Sequence, residues 1–308
     1  MKHSEDTFMN FDKYTRTDLA AEMRARAGLS RPDIRGLDYR EESASEVVTS
    51  TLTVKGKEAS DAISKPEGKY ITIGFPKPTV MTDEQQSILR NKISGNLKEL
   101  IYSSSPYCQK AMVVGLGNCK MTADALGPEC ISAITVTGHV KESMPSLFSE
   151  LGALATYAFS PGVKGSTGIE TADLVKSAAN IILPDVVIAI DALAARSPER
   201  LACTVQICDT GISPGSGVNN RRRAIDYGLL GVPVIALGVP TVTECGSMIA
   251  EMLENVPFDL QSKEIRKEIE NFMSENRSLA VSPKDIDLSL KILTPIIASA
   301  IDDALTID

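Results

Sequence analysis

The sequence has no tryptophan and few other aromatic residues. Phenylalanine and tyrosine together make up 5% of its 308 residues. The hydrophobic core therefore has to be built from valine, isoleucine, leucine and alanine. Hydrophobic residues (43%) and charged residues (23%) are otherwise at ordinary globular levels, which predicts a folded chain.

An excess of positive charge is also missing. The 32 lysines and arginines are outnumbered by 40 aspartates and glutamates, so the net charge is −8. Proteins that bind nucleic acid through its phosphates need a surplus of clustered cations. The composition therefore predicts no direct contact with DNA or RNA.

Long apolar runs are absent as well. The longest one, residues 181–195, is interrupted by Asp185 and Asp191, which predicts that nothing spans a membrane. The first ten residues contain no apolar segment of the kind found in signal peptides. We therefore expect a cytoplasmic protein.

Metal-binding and thiol motifs are scarce. The six cysteines form no CxxC pair, which predicts buried, reduced thiols. With only His3 and His139, a histidine-rich metal site is excluded, and no G-x-S-x-G nucleophile motif accompanies His139. We predict neither a metal nor a cofactor.

Residues 1–45 differ from the rest because they carry 17 charges, eight positive and nine negative. Such a segment has little apolar surface to bury. We therefore predict a solvated arm, and a removable or regulatory segment is the more specific hypothesis.

From about residue 47 onward, strand and helix patterns alternate. Two capping boxes, Thr82 to Gln85 and Thr167 to Glu170, predict helices over 83–103 and from 167 to about 181. Ser282–Pro283 is typical of a helix start and predicts a last helix toward 304. Further strands are expected at 51–54, 70–75, 110–116, 153–159, 185–191, 203–209 and 232–239, and further helices at 125–136, 242–255 and 262–274. This alternation predicts an α/β fold with a doubly wound, mainly parallel sheet and helices on both faces.

The glycine-rich segments do not match a nucleotide-binding motif. Gly115 and Gly117 follow a strand, but Lys120 stands where a dinucleotide fingerprint needs glycine. Residues 162–167 lack the order of a phosphate loop. Residues 211–217 could form either an anion-binding nest or a tight turn.

Two aspartates stand where parallel strands are expected to end. Asp191 closes the strand 185–191, and Asp124 lies in the loop after the strand 110–116. Ligand sites of open α/β sheets lie at the carboxyl ends of strands, so the two carboxylates can share one crevice. One of them would then hold a proton and polarise a peptide carbonyl, while the other takes a proton from water. Spacing alone leaves open that both are merely capping residues.

Whole segments of the chain resemble the germination proteases of spore-forming bacteria. The similar segments are RTDLA (16–20), GKYITI (68–73), GLGN with TADALGP (115–128), PGVKGSTGIET (161–171), DVVIAIDALAARS (185–197), QICDTGISPGSGVNNRR (206–222), LGVPVIALGVPTV (230–242) and SPKDID (282–287). They follow one another in the family's order. The resemblance implies an atypical aspartic endopeptidase, made as a zymogen, that degrades small acid-soluble DNA-binding spore proteins during germination.

The resemblance also implies particular residues and an assembly. The family's two catalytic aspartates fall on Asp124 and Asp191, and Asn118 is a possible auxiliary residue. The autoprocessing site falls between Asp18 and Leu19, so that residues 1–18 are a propeptide and residues 19–308 a single α/β peptidase domain. A homotetramer in the spore core is also implied.

Two alternatives stay open at this stage. The GLGN-plus-aspartate pattern is also similar to hydrogenase-maturation endopeptidases, which have this general architecture and use carboxylates around a metal. A non-enzymatic module that binds an anion through its glycine loops is the other alternative.

Overall fold

A computed structural model describes residues 15–30, 34–214, 222–255, 263–276 and 279–307. Within these ranges, a nine-stranded sheet is covered by helices on both faces. The strands are β1 (Leu37–Ala44), β2 (Val47–Val54), β3 (Gly68–Gly74), β4 (Lys110–Gly115), β5 (Ala155–Phe159), β6 (Val186–Ala194), β7 (Thr204–Cys208), β8 (Val234–Glu244) and β9 (Ala280–Val281). The helices are α1 (Ala20–Ser30), α2 (Lys57–Ile63), α3 (Asp83–Ser104), α4 (Leu126–Ala133), α5 (Gly138–Ser143), α6 (Pro145–Leu151), α7 (Lys164–Thr167), α8 (Thr171–Ile182), α9 (Tyr227–Leu230), α10 (Cys245–Asn255), α11 (Lys263–Glu275) and α12 (Ile286–Ala304). None of the described helices combines the length and hydropathy that a bilayer crossing needs.

The sheet joins a parallel half to an antiparallel half. Its order is β1-β2-β3-β7-β8-β6-β4-β5, and β9 pairs with the end of β8. Strands β8, β6, β4 and β5 are parallel, whereas β1, β2, β3 and β7 lead to β8 through antiparallel pairs. The predicted α/β class is confirmed, and the long apolar runs that indicated it lie mainly in the parallel half.

Alternating residues of β6 show how the core is divided. Ile188 and Ile190 belong to the cluster that packs against α3, α4 and α12. Val187 and Ala189 belong to the cluster beneath α8 and α9. Because successive side chains of a strand point to opposite faces, Asp191 lies on the second face.

The prediction that residues 1–45 bury little surface is wrong for the part that the structure describes. Leu19 and Ala20 are fully buried, and Thr15 and Glu22 are less than 9% exposed. Apolar positions are few in this segment, but they are the ones that reach the core. Strand β1 escaped prediction because its residues are mostly polar and exposed, as an edge strand paired on one side allows.

Only one of the two predicted capping boxes forms. Thr82 and Gln85 cap α3 reciprocally. Thr167 instead ends the short helix α7 and accepts the backbone N–H of Ile169, so α8 begins at Thr171. Glu170 lies 3.3 Å from Lys164 as an ion pair and does not bond to a capping residue.

Several other helix and strand boundaries differ from the predicted ones. Strand β8 continues to Glu244, so the helix expected from 242 begins at Cys245, and α4 ends at Ala133 rather than 136. The last helix starts at Ile286, because the Ser282 hydroxyl donates to a β8 carbonyl instead of capping it.

Candidate active site

Asp191 lies where β6 continues beyond the end of its neighbour β4. The last bond between the two is donated by the backbone N–H of Leu116 to the carbonyl of Ile190, at 2.8 Å. Strand β6 then runs on to Ala194, so the prediction that Asp191 closes its strand is wrong. The carboxyl is nonetheless at the carboxyl edge of β4, where the departing chain leaves a cleft. It is 5% exposed, and its Oδ1 accepts the backbone N–H of Ala192 at 2.9 Å.

Asp124 is placed by the loop that leaves β4. The backbone N–H of Asn118 donates to the backbone oxygen of Asp124 at 2.9 Å. The Thr241 hydroxyl of β8 donates to the carbonyl of Ala123 at 2.6 Å. Gly117 allows the tight return of the loop, because it has a φ of +114° and a Cβ there would lie 2.1 Å from the backbone oxygen of Asp124.

We expect Gly117→Ala to lose activity and stability together. The added methyl group collides with backbone rather than with a movable side chain, and positive φ is unfavourable for alanine, so a cost of roughly 1–3 kcal/mol follows. Gly95→Ala is the matched control, because the control position lies within α3 and a Cβ meets nothing within 4 Å. Thermal melting and peptidase assays of both variants test this expectation, and equal melting temperatures would contradict it.

Both aspartates line one cleft of about 550 Å³, and their charges interact. Burial raises the pKa of Asp124, opposed by the backbone N–H of Asn118 and by the charge of Arg222. The pKa of Asp191 is raised well above its ordinary value by burial first and then by the charges of Asp124 and Asp18. Two buried carboxylates whose charges interact favour holding one proton between them.

A row of residues crosses the floor of the cleft. Asp191 of β6 is paired with Gly238 of β8, which is paired in turn with Gln206 of β7. Two strand spacings separate the outer members, so their backbones lie roughly 9–10 Å apart. Gly238 is required between them, because a Cβ there would lie 2.5 Å from the side chain of Leu193.

The backbone of residues 18–20 lies along this row. The N–H of Asp18 donates to the carbonyl of Ala194, and the N–H of Ala194 donates to the Asp18 carboxylate, both at 2.9 Å. The carbonyl of Asp18 accepts from Lys65 Nζ at 2.8 Å and from Gln206 Nε2 at 3.0 Å. The N–H of Ala20 donates to Gln206 Oε1 at 2.6 Å.

The side chain of Leu19 fills an apolar pocket beside the cleft. Leu19 is fully buried and belongs to one cluster with Leu193, Ala195 and Leu201, which are at most 7% exposed. The bond between Asp18 and Leu19 is thus flanked by a carboxylate with backbone partners and by an apolar side chain in its own pocket. Asp18, Asp124 and Asp191 all line the one cleft.

Other residues singled out from the sequence lie elsewhere or act indirectly. The side-chain oxygen of Asn118 accepts the N–H of Lys120 and its backbone N–H donates to Asp124, so this residue holds the loop in shape. His139 is exposed on α5 and does not line the cleft. Of the glycine-rich loop 211–217, residues 211–214 line the cleft and the remainder lies outside the described residues.

Cysteines and metal-binding groups can be placed as well. All six cysteines are free, but the prediction of buried thiols holds only for Cys108, Cys130 and Cys208, because Cys203 and Cys245 are partly exposed and Cys119 is exposed. The loop position of Cys119 after β4 explains its exposure. In the described ranges, no group of three or more histidine, cysteine, aspartate or glutamate side chains is arranged to hold a metal ion.

Sequence reasoning missed three side chains of the cleft: Lys65, Gln206 and Arg222. Lys65 stands in a short polar connection after α2, where nothing distinguishes it from a surface lysine. Gln206 is a lone polar residue in an apolar strand, which was the available signal. Arg222 follows the glycine-rich loop in a segment that carried the family resemblance.

Comparison with known proteins gives consistent matches. A family model described as germination protease matches residues 15–256. The germination protease of Caldanaerobacter subterraneus subsp. tengcongensis is 40% identical over 94% of this chain and 94% of its own. That of Bacillus subtilis is 38% identical over 83% of this chain and 70% of its own. Among solved structures, the NiFe hydrogenase maturation protease HycI from Thermococcus kodakarensis matches 66% of this chain and 98% of its own, at 13% identity and a TM-score of 0.32.

Proposed function

This chain belongs to the germination protease family, and we propose that it is a self-activating aspartic endopeptidase of atypical type that degrades small acid-soluble spore proteins. One observation carries the proposal. The bond between Asp18 and Leu19 lies in the same cleft as Asp124 and Asp191. A homotetramer, a location in the spore core and the absence of direct DNA binding stay predictions.

The two aspartates divide the acid–base work. Asp124 is partly exposed, and the backbone N–H of Asn118 and the charge of Arg222 favour its ionised form, whereas Asp191 is buried. In this proposal Asp124 is therefore the ionised member and takes a proton from the attacking water. Asp191 is buried and holds the shared proton, which it gives to the peptide group. Asn118 positions the base through the loop.

The contacts of residues 18 and 19 in the cleft indicate which substrate residues the enzyme prefers. A carboxylate before the bond accepts the N–H of Ala194, and an apolar side chain after the bond fills the pocket lined by Leu193, Ala195 and Leu201. Bonds between an acidic residue and a bulky apolar residue fit this arrangement. Cleavage separates residues 1–18 from residues 19–308 and leaves the buried leucine on the retained side.

The proposal predicts that the purified chain shortens itself to a product that begins at Leu19. The same enzyme should cut a small acid-soluble spore protein after an acidic residue that precedes a bulky apolar one. Leu19→Asp should slow self-cleavage by at least roughly tenfold, because a buried, unpaired carboxylate is unfavourable in the apolar pocket. Mass spectrometry and N-terminal sequencing identify the bonds.

Leu147→Asp is the matched control, since Leu147 is exposed on α6 and does not line the cleft. A control variant that matures normally, beside a slow Leu19→Asp, supports the assigned pocket. A product beginning at any other residue would contradict the assigned bond.

A further inference from the structure

We propose that Lys65 and Gln206 form the oxyanion-binding site of this peptidase, stabilising the negative charge that develops on the carbonyl oxygen of the cleaved bond. The inference rests on the proposed function, because it takes the bond between Asp18 and Leu19 as the substrate. It assigns catalytic contacts to two residues that the acid–base pair leaves without a role.

The contacts have the geometry that this role needs. Lys65 Nζ and Gln206 Nε2 donate to the Asp18 carbonyl oxygen at 2.8 and 3.0 Å. Both distances are measured to the ground-state carbonyl oxygen, and the two donors are thus within hydrogen-bond reach of the atom on which the negative charge develops. One donor is a cation and the other is an amide on a buried strand, where electrostatic interactions are screened less than in water.

Both donors are held in position. The amide of Gln206 also accepts the N–H of Ala20, so only one orientation of this side chain satisfies both partners. The backbone of Lys65 is fixed by the Ser60 hydroxyl, which donates to its carbonyl at 2.6 Å. The following residue, Pro66, accepts a hydrogen bond from the Tyr70 hydroxyl at 2.9 Å.

The oxyanion site changes which residues act on the carbonyl oxygen and which act on the nitrogen of the peptide group. Water attacks the carbonyl carbon of Asp18 and loses a proton to Asp124, and the carbonyl oxygen becomes an oxyanion bound by Lys65 and Gln206. When the tetrahedral intermediate collapses, the C–N bond breaks and the nitrogen of Leu19 takes the proton of Asp191. Under this proposal the protonated aspartate is not needed to polarise the carbonyl, and its role differs from the one that the sequence suggested.

A purely anchoring role for the two side chains makes a different prediction. An anchor that acts through the carbonyl of Asp18 matters only before maturation, because that carbonyl leaves with residues 1–18. Gln206 also accepts the N–H of Ala20, which is retained, so Lys65 is the residue that separates the two roles cleanly. An oxyanion site is used in every turnover. The mature enzyme acting on a separate substrate therefore distinguishes the two roles.

The test uses Lys65→Met, Lys65→Arg, Gln206→Met and Gln206→Asn. Each full-length variant is matured by a trace of removable wild-type enzyme and then assayed on a synthetic peptide of residues 13–24. We expect kcat to fall roughly 10²-fold for the two methionine variants, with KM changed by no more than a few-fold. Lys65→Arg should recover part of the loss because it keeps a charged donor. Lys69→Met is the control, because Lys69 is paired with Glu99 outside the cleft.

The outcomes separate the hypotheses. A raised KM with unchanged kcat, or slow maturation followed by normal turnover, would overturn the oxyanion assignment and leave the proposed function intact. A wild-type chain that cuts neither itself nor the peptide would overturn both. Lys65 is only partly buried, so its variants report on the assignment even if the buried Gln206 variants fail to fold.

Discussion

We expect Asp191→Asn to leave the chain at full length, with self-cleavage slowed by roughly 10²–10⁴-fold. Asparagine has nearly the same shape as aspartate but cannot carry the shared proton. Asp124→Asn should cause a loss of similar size, because it removes the group that takes the proton from water. Gel electrophoresis over time and intact mass measure the two rates.

Two controls make this result interpretable. Asp287→Asn changes an exposed carboxylate in the first turn of α12 and should mature at the wild-type rate. Adding wild-type enzyme to the Asp191 variant should release the product that begins at Leu19, which shows that the bond is still accessible. Unaided, normal maturation of the Asp191 variant would mean that this residue is not catalytic.

The rate of self-cleavage should follow a bell-shaped pH profile. Above the raised pKa of Asp191 the shared proton is lost, and the rate falls about tenfold per pH unit. On the acidic side the rate falls as Asp124 gains a proton, and this limb also lies above the ordinary aspartate range because burial raises its pKa. The two limbs report the apparent pKa values of the pair.

Substitution of Arg222 tests the direction in which nearby charge shifts the pKa values of the two aspartates. Its charge lowers the pKa of both aspartates, so Arg222→Met should shift both limbs toward higher pH, whereas Arg222→Lys should shift them little. Initial rates in a series of buffers of equal ionic strength measure the shift. Movement of the methionine variant toward lower pH would refute this electrostatic account.

The same pKa shift has a consequence for stability. Because the folded pKa of Asp191 is raised above its unfolded value, its carboxyl favours folding most at low pH and loses that contribution as pH rises through the raised pKa. Asp191→Asn should therefore melt at a higher temperature than the wild-type chain near neutral pH. The difference should shrink as pH falls toward the ordinary aspartate range.

The sequence predicted the parallel half of the sheet because its signals are strong. Strands β4, β6 and β8 are apolar runs buried on both faces, and such runs are recognisable without any knowledge of their neighbours. Asp124 and Asp191 were found from the same pattern, as acidic residues close to where those runs stop. The bond between Asp18 and Leu19 was assigned as the cleavage site by family resemblance alone.

The rest could not be predicted because it depends on long-range contacts. Gln206 bonds to residues nearly two hundred positions away in the chain, and its place as a polar residue in an apolar strand does not reveal these partners. Leu19 is one of the few apolar residues in a charged segment, and only the folded pocket shows that it is buried. Thr167 satisfies the capping-box pattern, yet Gly168, with a φ of +74°, ends the preceding turn first.

The buried leucine has a consequence for the enzyme once it has cut itself. Leu19 and its pocket, and Ala20 with its bond to Gln206, all belong to the part of the chain that is kept. In the proposed peptidase, one product of the first cleavage is the new N-terminus at Leu19. It stays covalently attached to the enzyme and lies beside the catalytic groups. A tethered occupant competes at an effective concentration set by its linkage and is not removed by dilution. Under the proposed function, every later substrate then has to displace the new N-terminus of the enzyme, and we expect withdrawal of that terminus to be a separate step of activation, after bond cleavage.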